Sequence, residues 1–187
     1  MSEIIASLRG RPALLCKAAL FVIALVGGMP HSFAVAAEAL PEYRLKAAII
    51  YNFAVFTEWP GTIGNKLNLC VHGPDPFGGE LSLLDGKPVG TRSIAVERSK
   101  GGETLTDCHI VFVAVQALDG FPALTQRLQG LPVLTISEGA GALRRGIALN
   151  LNLAQSRVTF EVNLAATRAA GLKLSSKLLK LATEVLE

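Results

Sequence analysis

Two short segments bring a cysteine close to a histidine, and these are the side chains best suited to chemistry. The segment "LCVHG" contains Cys70 and His72, and "DCHIVFVA" contains Cys108 and His109. Such a set could bind zinc, form a catalytic thiolate–imidazole pair, or supply a disulfide bond. The choice among these depends on the direction that each side chain takes in the strand that carries it.

Strand geometry disfavours the metal site and the catalytic pair. Residues two apart on a strand share a face, whereas adjacent residues point apart. Cys70 and His72 can therefore converge, but Cys108 and His109 cannot both join them without a bulge. The spacing also matches no common zinc pattern. A Cys70–Cys108 disulfide would need a small register offset between neighbouring strands, because the Cα atoms must come within about 7 Å.

The first 36 residues are typical of a secretory signal peptide. Arg9, Arg11 and Lys17 are basic, residues 18–26 are continuously apolar, and small residues follow at 34–36. The apolar run is too short for a membrane anchor, which needs about 20 residues. We expect cleavage after residue 36. Residues 1–36 are then the signal, and 37–187 form one secreted domain.

Cleavage would change both the charge balance and the cysteine count. The signal carries three of the 18 basic residues and one of the 15 acidic ones, which leaves the domain at +1. There is no basic surplus, so no nucleic-acid partner is expected. Cys16 would leave with the signal. Cys70 and Cys108 would remain in an oxidising compartment, where an even pair is most simply a disulfide.

Alternating strand and helix patterns predict a single α/β domain. Leu45, Ile49, Phe53 and Phe56 recur at helical spacing and predict the apolar face of a first helix. The continuous apolar runs "CHIVFVAV" and "LPVLTISE" indicate strands covered on both faces. The segment "IALNLNLAQSRVTFEVN" alternates as two strands around a turn. We therefore predict a mainly parallel sheet with helices on both faces and an antiparallel hairpin at one edge.

The C-terminal segment is predicted to form two helices joined at Gly171. Leu174, Leu178, Leu181 and Val185 recur at helical spacing, with lysines between them. The resulting apolar arc is broad for a helix that is covered on one side only. Such an arc favours a contact with a partner or with a second copy of the chain.

Two loops could bind a small molecule. The segment "HGPDPFGG" follows the first strand of the sheet, where α/β proteins place ligand loops, and "GALRRG" carries two arginines that could hold an anion. The candidate pocket consists of His72, Phe77, Arg144 and Arg145. A tight turn and a solvated arginine pair are the simpler interpretations. No nucleophile elbow, Walker loop or H-E-x-x-H motif occurs, and we predict neither an enzyme nor a bound metal or cofactor.

Five segments of the chain resemble the YfiR family of periplasmic proteins. They are "LKAAIIYNFAVFTEWP", "LCVHGPDPFG", "CHIVFVA", "VLTISE" and "RVTFEVNLAATRAAGLKLSSKLLKLA", and they occur in this order through essentially the whole mature chain. The first helix ending in "EWP" and the tail "LKLSSKLLKLA" are the most specific parts.

The resemblance implies a repressor in the periplasm. Such a protein binds the periplasmic sensor domain of an inner-membrane diguanylate cyclase, lowers cyclic di-GMP and limits biofilm formation. An outer-membrane lipoprotein relieves the repression by sequestering it, and the repressor is a homodimer. An alternative function is a periplasmic small-molecule-sensing accessory module for another membrane receptor or kinase. A redox or hydrolytic enzyme is a third hypothesis, and it would require a reactive thiol.

The resemblance also implies roles for particular residues. Cys70 and Cys108 lie where the family has a disulfide bridge. A second family cysteine pair would fall near 144–152, where this chain has no cysteine. A redox switch that depends on that pair should therefore be absent. The apolar residues expected to contact the partner are Leu164, Leu172 and Leu174.

Overall fold

A computed structural model describes residues 34–97, 105–155 and 157–187 of the chain. The chain divides into two units, 1–35 and 36–187, and the following description concerns the second. Almost all of the predicted signal peptide lies outside the described residues. Most of the polar turn predicted for 99–107 lies outside them as well.

A mainly parallel sheet of eight strands forms the centre of the domain. Its order is β10-β8-β7-β6-β5-β2-β4-β3, and β1 and β9 form a separate antiparallel pair. Adjacent strands from β4 through β2, β5 and β6 to β7 are parallel, whereas β8 is antiparallel to β7 and β3 is antiparallel to β4. The strands are β1 (Thr57–Glu58), β2 (Lys66–His72), β3 (Pro88–Val89), β4 (Arg92–Glu97), β5 (Ile110–Val113), β6 (Leu134–Ser137), β7 (Leu149–Ala154), β8 (Arg157–Asn163), β9 (Lys173–Leu174) and β10 (Glu184–Leu186).

Helices cover both faces of this sheet, as the sequence predicts. They are α1 (Ala34–Val55), α2 (Phe121–Leu128), α3 (Leu164–Ala169) and α4 (Ser176–Leu179), with 3₁₀ turns at Glu80–Leu84, Leu105–Asp107, Val115–Gly120 and Leu143–Arg145. Residues of α1 and the C-terminal segment form one core with the sheet. Residues of α2 form a second core on the other face. All four residues of β5 and of β6 are buried, because both faces are covered.

The predicted hairpin is present as β7 and β8, but it is not the outermost part of the sheet. Strand β10 pairs in parallel with β8, with Val185 opposite Val162. The edge strand on that side is therefore formed by the last residues of the chain, for which the sequence predicted a helix.

The face that α1 turns to the core differs from the predicted one at Leu45, whose side chain is 46% exposed. Phe53 is buried, and Ile49 and Phe56 pack partly buried against the core, as predicted. The segment "LKAAIIYNFAVF" is apolar almost all round, so helical spacing alone leaves the buried face undecided. The structure turns Lys46 inward, which requires partners for its charge.

The disulfide between Cys70 and Cys108 is present. The Cα atoms are 6.0 Å apart and 38 positions separate the two residues. In the register of β2 and β5, Cys70 lies opposite Val111. Cys108 is three residues before Val111 in the chain. This is the small offset that the bond needs. Both cysteines lie in the core on the α2 face.

The predicted pair of C-terminal helices is wrong for most of that segment. Helix α3 is followed by Gly171, whose φ of +68° lies in the left-handed region. Lys173 and Leu174 are extended and pair with Thr57 and Glu58 of β1. Helix α4 has only four residues. Strand pairing with β1 and β8 therefore overrides the helical pattern of the leucines.

Candidate partner-binding surface

Local hydrogen bonds fix the path of the C-terminal segment. The Asn163 side chain accepts a hydrogen bond from Ala166 N and caps α3. Ser175 does the same for α4 by accepting from Leu178 N, and its own backbone N–H donates to Phe56 O at 2.9 Å. The segment is thus fastened to the end of α1.

The three leucines expected to contact a partner lie at different depths. Leu172 belongs to the core, with only 1% of its surface exposed. Leu164 and Leu174 are half-buried and pack against the same core. In this conformation a partner cannot reach Leu172. A contact role for Leu164 and Leu174 stays a prediction.

Four other residues form the exposed part of this region, here called the C-terminal surface: Lys173, Lys177, Lys180 and Leu181. All four are exposed, and Leu181, at 69%, is the most exposed of the large apolar side chains among the described residues. Within the described residues none of the three lysines forms an ion pair. Lys177 and Lys180 lie within four positions of Leu181 in the sequence, and an exposed leucine with positive charge nearby suits a partner with an apolar contact point and an acidic rim. Sequence reasoning placed Leu181 on a helix and overlooked this local arrangement.

A second notable group is a buried charge cluster between α1 and the end of β6. Lys46 is only 4% exposed and forms ion pairs with Glu42 and Glu138. The Tyr43 hydroxyl donates to the other oxygen of Glu138 at 3.0 Å. Glu138 directly follows β6, so the cluster ties the first helix to the carboxyl end of the sheet.

The cluster keeps Lys46 charged in spite of its burial. Burial alone would lower the pKa of Lys46, but the hydrogen bonds and charges of Glu138 and Glu42 outweigh it and raise that pKa. Burial and the neighbouring Glu138 raise the pKa of Tyr43. Tyr43 therefore stays a hydrogen-bond donor and Lys46 a cation at neutral pH.

The residues of the candidate pocket differ in how accessible they are to a ligand. Phe77 is 1% exposed and makes edge contacts with Tyr43 and Phe112, so it contributes to the core. His72 is half-buried at the end of β2. Arg145 is exposed, donates to Ala140 O and lies 3.6 Å from Asp119. Arg144 is also exposed. A ligand site at this edge of the sheet stays a prediction that depends on His72 and the two arginines.

His109 has a structural contact of its own, apart from the disulfide. Its Nδ1 accepts a hydrogen bond from Asn68 N at 3.1 Å, so the neutral ring carries its proton on Nε2. Burial is the main cause that lowers the pKa of His109 below its ordinary 6.5, and the charge of Arg92 adds to it while Asp107 opposes it. A protonated ring could not accept this bond.

We expect His109 to make the folded domain less stable at mildly acidic pH. The unfolded chain binds a proton at this residue more readily than the folded one does. The neutral ring of His109 therefore contributes fully to the stability of the folded domain above pH 6.5. This contribution is lost as the pH falls through the lower pKa of the folded state. Urea unfolding between pH 7.5 and 5 should show a smaller loss in His109→Gln than in the wild type, with His72→Gln as the control for removing a histidine. An NMR titration that places the pKa of His109 at or above 6.5 would contradict this expectation.

Two general features complete the description of the site. Within the described residues, no three His, Cys, Asp or Glu side chains are grouped so that they could hold a metal ion. No helix in the same part of the chain is both long and apolar enough to cross a membrane.

Comparison with known proteins identifies a family and solved structures with a similar fold. The sequence profile of a family described as YfiR/HmsC-like matches residues 43–183. A crystal structure of a conserved domain protein from Vibrio cholerae superposes with a TM-score of 0.50 at 10% sequence identity. That match covers 76% of this chain and 60% of the other, so it indicates a shared fold alone.

Proposed function

The chain belongs to the YfiR/HmsC-like family, and on this premise we propose that it is a non-enzymatic periplasmic regulator that represses a membrane diguanylate cyclase. The family match over residues 43–183 is the observation that carries the proposal, because it spans nearly the whole domain. The repressor binds the periplasmic sensor domain of the cyclase. Cyclic di-GMP and biofilm formation are low while it is bound.

The mechanism is a shift between two states of the sensor domain. A regulator can move such an equilibrium only by binding one state more tightly than the other. A change from mostly active to mostly inactive cyclase, from 99:1 to 1:99, requires a difference of about 5.5 kcal/mol. A well-packed apolar contact with a charged rim is enough for a difference of this size.

The C-terminal surface is where we place this contact. Leu181 supplies a largely exposed apolar side chain, and the three lysines of this surface form no ion pair among the described residues. Leu174 of β9 is half-buried and adds an apolar edge. The pairing of β1 with β9 fixes the backbone at Lys173 and Leu174.

Deletion of the gene should raise cyclic di-GMP, and the wild-type gene should restore the low level. This is measured by mass spectrometry of nucleotide extracts. An unchanged level in the deletion strain would reject the proposal. Co-purification of the secreted protein with a membrane cyclase that has a periplasmic domain would identify the partner.

Substitutions on the C-terminal surface should act like the deletion without unfolding the protein. We expect Leu181→Asp, and more strongly Leu174→Asp, to raise cyclic di-GMP towards the deletion level, because each puts a carboxylate into the apolar contact. The matched control is Leu153→Asp, which changes another exposed leucine, in β7. Thermal unfolding of each purified variant separates lost binding from lost folding. If Leu181→Asp represses as well as Leu153→Asp does, the contact lies elsewhere.

A further inference from the structure

A groove lies between α2 and α3. Its volume is about 460 Å³, which falls within the range of small-molecule sites. Phe121 and Leu128 of α2 form one wall, and four alanines at 165, 166, 169 and 170 form the other. Val133 and Thr135 contribute from the start of β6. The groove lies on the face of the sheet that carries α2, and it contains none of the residues discussed so far as pocket candidates.

Short side chains keep this groove open. A Cβ atom at Gly146 would lie 3.8 Å from the Phe121 ring and 3.9 Å from the Thr125 hydroxyl, so a longer side chain there would enter the groove. The φ of Gly146 is +92°, which an L-residue rarely adopts. Ala165 and Ala169 lie one helical turn apart on α3 and are both exposed towards the groove opening.

The chemistry of the lining selects the kind of ligand. None of the lining residues is charged, although Arg127 on α2 and Arg168 on α3 are close by in the sequence. A charged ligand would lose water in the groove without gaining an opposite charge. Thr135 is a buried hydroxyl whose oxygen accepts from Ala148 N, and its proton can still be donated to a ligand.

We propose that the groove between α2 and α3 binds a neutral, mainly apolar small molecule. The apolar walls bury the body of the ligand, and the uncharged lining disfavours anions and cations of the same shape. This site does not depend on the regulatory function proposed above. It is also separate from the C-terminal surface.

Two fluorescent probes test both parts of the proposal. N-phenyl-1-naphthylamine is neutral, and 8-anilinonaphthalene-1-sulfonate has the same ring body with a sulfonate added. Titration of the purified domain should give saturable binding of the neutral probe, and binding of the sulfonate at least about tenfold weaker. Failure of the neutral probe to bind, or equal affinity for both probes, would overturn the proposal.

Variants on α3 locate the site. Ala169→Leu and Ala165→Leu should each weaken binding of the neutral probe by about tenfold or more, because the added carbon atoms occupy the groove. The control is Ala123→Leu, at an exposed position of α2 outside the lining, and it should bind like the wild type. Equal binding by all three variants would refute the site. If light scattering shows that the α3 variants turn a dimer into a monomer, the groove is an interface between copies and the proposal fails.

Discussion

Replacing both bridged cysteines with alanine, Cys70→Ala and Cys108→Ala, should lower the free energy of unfolding by about 4 kcal/mol. The bond closes a loop across 38 positions of sequence, and without it the unfolded chain gains the entropy of that open loop. Both side chains are also buried, so the lost sulfur contacts add to the cost. For a domain of this size, 4 kcal/mol is a large share of the total stability.

Urea unfolding of the domain with and without dithiothreitol measures this effect directly. Reduced wild-type protein should unfold close to the double variant, and dithiothreitol should leave the double variant unchanged. Only these two cysteines follow residue 36, so reduction should produce a single step of destabilisation. A wild type that is equally stable in both conditions would show that the bond contributes nothing to folding.

Removing Glu138 should be the second large effect, with a loss of about 3 kcal/mol in the free energy of unfolding for Glu138→Ala. Lys46 is buried and would keep only Glu42 as a counter-charge, while the Tyr43 hydroxyl would lose its acceptor. An uncompensated buried charge is costly because water can no longer solvate it. The effect should be visible in the urea midpoint at pH 7.

The chain supplies a matched control on the same helix. Arg44 and Glu80 also form an ion pair, but the Arg44 side chain is 72% exposed. Arg44→Ala should therefore cost less than about 1 kcal/mol. The double variant Lys46→Met with Glu138→Leu should recover much of the loss, because it removes the charge and the carboxylate together. If Glu138→Ala costs no more than Arg44→Ala, the cluster does not stabilise α1 on the sheet.

Much of the fold follows from patterns that are local in the sequence. The apolar runs before residues 114 and 138 specify buried strands, because only a sheet covered on both faces buries every consecutive side chain. The alternation of apolar and polar residues in β7 and β8, with a turn between them, specifies a hairpin. The disulfide could be predicted because cleavage would leave two cysteines in an oxidising compartment.

The candidate site was harder to predict, because the burial of each side chain depends on contacts with residues that are distant in the sequence. Leucines at helical spacing near the C-terminus suggested a helix with a broad apolar arc. Instead Leu172 is buried, Leu174 lies in β9 and Leu181 is exposed. Phe77 looked like part of an open loop, yet it packs between Tyr43 and Phe112. In each case the side chain's partner comes from a remote part of the chain.

The sequence by itself determined the α/β class, the positions of the main strands along the chain and the single cysteine pair, since each rests on residue types and spacings that act locally. Only the tertiary structure decided the path of the C-terminal segment. The strand edges of β1 and β8 offered backbone hydrogen bonds that outweigh a weak helical preference. It also decided that Lys46 on α1 is buried, because Glu138 supplies the opposite charge that lets this side chain turn inward. These contacts are the β1–β9 pair, the β8–β10 pair and the Lys46–Glu138 ion pair. None of them is visible in a short window of sequence, because each joins residues more than 20 positions apart.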